Sequence, residues 1–169
     1  MFRRMINKWK MPIYKHDVLI VILYGFLSAL LLGILAGAVN FLFDQINVKV
    51  SIGVFLLAYG ISFTLKRAYY SYHILYPTLA VIFMIFGLFV TLISYYCFIF
   101  RDIRIILEYL SRLDFYIFFF KSPFIYHIAF FKNIFGGSFE AEVFIYMILD
   151  TLIYSAGFFI VSKNTIGRN

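Results

Sequence analysis

The chain has 169 residues, 64% of them hydrophobic and only 14% charged, with a formal net charge of +7. An ordinary soluble domain carries roughly 25% charged residues, so this composition argues against one, and the length suits a single membrane domain. The surplus of Lys and Arg flanks apolar runs, which points to anionic lipid headgroups and excludes nucleic acid as the natural partner. One cysteine, Cys97, rules out an internal disulfide. The 23 Phe and 14 Tyr fit the codon bias of an AT-rich bacterial genome.

Residues 1–17 read as a basic interfacial segment. Phe2, Met5, Ile6 and Trp9 recur at helical spacing, while Arg3, Arg4, Lys8 and Lys10 fill the other positions. Arg3, Arg4, Lys8, Trp9 and Lys10 are the expected interface anchors, and Pro12 ends the segment. A signal peptide cleaved near Ala36-Gly37-Ala38 is the weaker reading, because the apolar stretch before that site exceeds the usual 7–15 residue core.

Residues 18–43 follow, twenty-six positions without a charged side chain. A helix of that length is about 39 Å long, more than the roughly 30 Å hydrocarbon core of a bilayer. Residues 48–65, 74–100 and 143–161 are the other expected crossings, giving an all-α polytopic bundle of four transmembrane helices plus amphipathic interfacial helices. The short link from Asp44 to Lys49 makes the first two an antiparallel hairpin.

Residues 101–137 form an amphipathic or re-entrant connector. Ile103, Ile106, Leu107, Leu110 and Leu113 make one face of a helix over 101–114, with Arg104, Glu108 and Arg112 four residues apart on the other. The aromatic run at 115–131 is broken by Lys121, Ser122 and Pro123, which favours a dip into the membrane over a fifth crossing. Gly136-Gly137 supplies a turn before the last helix. With four crossings and a cytoplasmic N-terminus, nine Lys and Arg fall inside and six outside.

Gly25, Ala29, Gly33 and Gly37 recur every fourth residue, a small-residue stripe for close helix approach. Gly53, Gly60 and Gly87 extend the set of packing positions on the next two spans. Their expected partners are this protein's own helices, with self-association or a larger membrane-protein complex as the alternative.

Asp150 lies near the middle of the last span, where a carboxylate costs about 2.5–3.5 kcal/mol on insertion scales. With Thr151 it is the intramembrane polar candidate: either a proton or cation site, or a buried clamp hydrogen-bonded to Thr151, Tyr154 or a neighbouring helix. Asn40 is the other polar residue within a span, close to its end. His16, His73 and His127 have no second ligand at helical spacing, so no metal site is expected. No cofactor motif, phosphate loop, serine nucleophile motif or acidic pair marks a catalytic centre. The balance leans away from an enzyme.

The Gly/Ala-rich first span, the turn with Lys49 and Gly53, the basic end of the second span and the Leu149–Leu152 stretch Leu-Asp-Thr-Leu resemble those of small bacterial four-helix integral membrane proteins. That resemblance implies the fold and carries no activity with it. Two functions are expected in turn. The first is a non-enzymatic accessory or scaffolding subunit of a cytoplasmic-membrane complex. The alternative is a small transporter or channel component using Asp150, and a lipid- or peptide-modifying enzyme is third.

Overall fold

The computed structural model describes residues 13–69 and 73–165, and its regular elements are helices throughout. They are α1 (Lys15–Gln45), α2 (Gly53–Ala68), α3 (Leu75–Phe100), α4 (Ile103–Leu110), α5 (Leu113–Lys121), a 3₁₀ turn (Ser122–Phe124), α6 (Ile125–Phe135) and α7 (Ala141–Thr165). The anchor residues Arg3, Arg4, Lys8, Trp9 and Lys10 lie outside the described residues.

Three helices, α1, α3 and α7, are long and apolar enough to cross a membrane. They sit within a few residues of the expected spans. The second expected span differs. Residues 46–52 belong to the turn, so α2 starts at Gly53 and has 16 residues. At about 1.5 Å per residue it is about 24 Å long, short of a full hydrocarbon core.

The turn has a definite cause. Asn47 adopts a left-handed conformation with φ 59, which Asn tolerates better than most residues. The Val48 N–H then donates to the Phe43 carbonyl at 3.0 Å and the Asn47 N–H to Asp44 at 3.0 Å. This is a Schellman closure of α1. Asn40, one turn earlier, accepts the Gly53 N–H at 2.8 Å, so a polar side chain on α1 caps the start of α2. Asn40→Ala is expected to lower stability by about 0.5–2 kcal/mol, the range for a lost helix cap; detergent melting curves would read it.

Outward-facing Leu23, Leu27, Leu31 and Leu35 are exposed, while Gly25, Ala29, Gly33, Ala36 and Gly37 are buried. Large apolar side chains outside and small ones inside is the order expected of a helix with lipid on one face and protein on the other. The stripe meets α3. A Cβ on Gly33 would lie 2.9 Å from the Gly87 carbonyl oxygen, and one on Gly37 would lie 2.7 Å from that of Thr91. Ser94 crosses the same interface, its hydroxyl donating to the Ile34 carbonyl at 3.1 Å. Gly25 sits against the Phe83 ring, Gly53 against the Ala36 carbonyl, Gly60 against Leu32 and Gly87 against Leu57. Gly157 on α7 packs on Val54 and Met84 in the same way.

α2 contacts α1, α3 and α7, and its Leu57, Ala58, Ile61 and Leu65 are fully buried. At the far end of the bundle the Tyr69 hydroxyl donates to the Thr165 carbonyl. His73 accepts the Leu75 N–H through Nδ1 at 3.1 Å, satisfying a free donor at the start of α3.

Left-handed Arg101, φ 52, ends α3, and Asp102 caps α4 by accepting the Arg104 N–H. The helix expected over 101–114 stops earlier, at Leu110. Arg112 therefore leaves the Arg104–Glu108 row and pairs with Asp114 at 3.6 Å. Both partners are exposed, so the pair adds little. Pro123 breaks the aromatic run as its sequence implies: it has no N–H for the Phe119 carbonyl, and the Ser122 hydroxyl donates there instead at 2.8 Å. The resulting pieces of nine and eleven residues are each too short to span. α5 lies on α3, with Phe89 in ring contact with Phe115, Tyr116 and Phe119. α6 lies on α7 through Tyr126–Tyr146 and Phe130–Phe144.

Candidate functional site: an acidic cavity at one end of the bundle

Where α5 and α6 fold back, they roof a cavity of about 310 Å³ between α1, the turn before α2, α3 and α7. Its polar wall brings together Asp44 at the end of α1, Ser51 in the turn, Tyr95 on α3, Tyr126 on α6, and Asp150 and Tyr154 on α7. The connector supplies Phe119, Ser122 and Pro123, so the chain break forced by proline lines the cavity.

Asp150 is the most buried acid in this wall, with 5% of its surface exposed. The Ser51 main chain faces its carboxylate, yet Oδ1 is buried without a hydrogen-bond partner. The neighbours expected to satisfy it are otherwise engaged. Thr151 turns away: its hydroxyl donates to the Met147 carbonyl at 2.7 Å, and the same oxygen lies 2.9 Å from His127 Nε2. With the hydroxyl hydrogen committed, the ring Nε2–H is the donor. Tyr154 donates to Ser51 Oγ at 3.4 Å. Asp150 and Thr151, adjacent in sequence, thus do different work.

The second acid, Asp44, is partly buried and accepts the Tyr95 hydroxyl at 3.0 Å. That bond ties the end of α1 to α3 and leaves the carboxylate facing the cavity. Lys49 belongs to the same lining, with its side chain exposed at the rim. Tyr126 lies outside the long helices. Burial, and then the nearby Asp150 charge, push its phenol up, so it remains a neutral hydroxyl at physiological pH.

Sequence reasoning found Asp150 and missed Asp44, which reads as a helix end when taken alone. It also missed that the Lys121–Pro123 break lines the site. A cue was present: Ser51, Tyr95 and Tyr126 are polar residues at the borders of apolar runs, but only the fold makes them converge. Among the described residues no group of three or more His, Cys, Asp or Glu comes together. Comparison with protein-family models, with curated proteins and with solved structures gives no match.

Proposed function

We propose that the protein is a small transporter or channel component, with Asp150 as its intramembrane proton or cation site. One observation carries this reading: a nearly fully buried carboxylate with an unpartnered oxygen lines a cavity that a second carboxylate also lines. Ionisable groups inside membrane segments are expensive and serve ion paths or pairing, and among the described residues neither carboxylate has a Lys or Arg ion-pair partner.

In this proposal α2 is the fourth crossing. Its shortness is offset by burial among α1, α3 and α7, with Lys66 and Arg67 at its end as charged flanks. Both termini face the cytoplasm of a bacterial cell, and the acidic cavity then lies toward the outer face. The accessory-subunit alternative draws on the Gly25–Gly37 stripe, the amphipathic helix at Arg101–Asp114 and the lack of catalytic motifs; α3 of the same chain covers the stripe.

The test is flux in proteoliposomes, followed with an internal pH dye and a potential-sensitive dye. Wild type is expected to pass protons or monovalent cations, and Asp150→Asn to fall to the level of protein-free vesicles. No flux in wild type, or equal flux in the variant, defeats the proposal.

A further inference from the structure

We infer that the cavity binds a small primary alkylammonium cation, its N–H groups directed at Asp150 Oδ1 and its alkyl part held by the apolar wall. The inference rests on the transport reading of the same site and adds the ligand class.

Charge is the first argument. Asp44 and Asp150 reach the cavity from different helices, against an exposed Lys49 in the lining and His127, which acts on Asp150 from α6 without lining the cavity. The interior therefore attracts a cation. Hydrogen bonding is the second. Asp150 Oδ1 is an acceptor without a donor, and leaving a buried charged acceptor unmatched is unfavourable. A ligand that brings N–H groups corrects this, whereas a quaternary ammonium brings none.

The third argument excludes a bare metal ion as the best fit. Inorganic cations want six or so oxygen ligands around them. Much of this wall is carbon: Val54, Leu88, Leu92, Phe119 and Ile125. Such carbon is no ligand for a metal ion and suits a short alkyl chain. Tyr95, Tyr126 and Tyr154 also line it, and aromatic residues beside a cation favour an ammonium group. A volume of about 310 Å³ is at the small end for ligand pockets, consistent with a few-carbon amine.

The experiment is titration calorimetry on the full chain in mild detergent, with n-butylammonium as the probe and tetramethylammonium and potassium as comparators at equal ionic strength. Butylammonium is expected to bind at least about tenfold more tightly than either comparator, the worth of a hydrogen bond to a charged group. Asp150→Asn is expected to weaken it by about tenfold or more, and Asp44→Asn, which removes a charge and no ligand hydrogen bond, to weaken it less. Lys49→Gln is expected to tighten it, by removing a competing cation from the rim. Equal binding of tetramethylammonium or potassium overturns the inference, as does butylammonium affinity unchanged in both aspartate variants, or no binding at all. Asp150-dependent proton flux without butylammonium binding removes this ligand and leaves the transport reading standing. Binding at Asp150 with no flux of any ion does the reverse.

Discussion

Replacing Asp150 with leucine is expected to yield a protein that melts at a higher temperature and no longer conducts. The two effects have one origin. A carboxylate in a membrane helix is costly, up to about 2.5–3.5 kcal/mol at the helix centre, and Asp150, level with the α1–α2 turn and facing the Ser51 main chain, recovers only part of its cost, because Oδ1 has no partner and Thr151 is committed to Met147 and His127. Leucine removes the penalty and is close in size, so a gain of about 1–3 kcal/mol is expected in detergent unfolding. Asparagine, which keeps the polarity and loses the charge, falls between. A structural clamp predicts the opposite sign, since breaking a satisfied buried polar contact costs about 1–3 kcal/mol. A stability loss in both variants would therefore refute the assignment of Asp150 as a binding group, whatever the flux data say. Sites that keep an unfavourable group for function commonly show this trade of stability against activity.

The long apolar helices were legible because the bilayer sets their length and the absence of charge marks their ends. α1, α3 and α7 needed nothing else. α2 was legible as apolar but not in its bounds, because its start is fixed by Asn47 turning left-handed and by Asn40 reaching across from α1. The first is a local preference too weak to place unaided, and the second is a contact between residues thirteen apart. The Pro123 break was readable from the chemistry of proline, but its position in the cavity lining was not. Convergence of Asp44, Ser51, Tyr95 and Asp150 depends on four segments meeting, and no single segment carries a sign of it. The stripe of small residues announced a close helix contact and left its partner open. Its complement, Gly87 with Thr91 and Ser94, lies on α3 at matching spacing and reads as a pair only once the helices are side by side.

Gly37→Ala is expected to open that contact and to destabilise the protein by about 1–3 kcal/mol, with Gly33→Ala similar. Intrinsic preference works the other way, because alanine is favoured over glycine within a helix by about 1 kcal/mol. Geometry decides the sign. The new methyl at 37 would sit 2.7 Å from the Thr91 carbonyl oxygen and 2.7 Å from Ser94 Cβ. The carbonyl is helix backbone and cannot swing aside, so α1 and α3 must separate. Separation strains the Ser94–Ile34 hydrogen bond and, from the next residue of α3, the Tyr95–Asp44 bond that holds one cavity wall. Butylammonium binding should therefore weaken in Gly37→Ala although residue 37 does not line the cavity. Ser94→Gly added to Gly37→Ala removes one obstacle and keeps the other, so it is expected to restore stability only in part. Gly25→Ala is the milder comparison: its methyl meets the Phe83 ring, a side chain that can move. Melting temperatures for Gly37→Ala at or above wild type would mean that α1 and α3 are not pressed together at Thr91, and the cavity built on their contact would lose its wall.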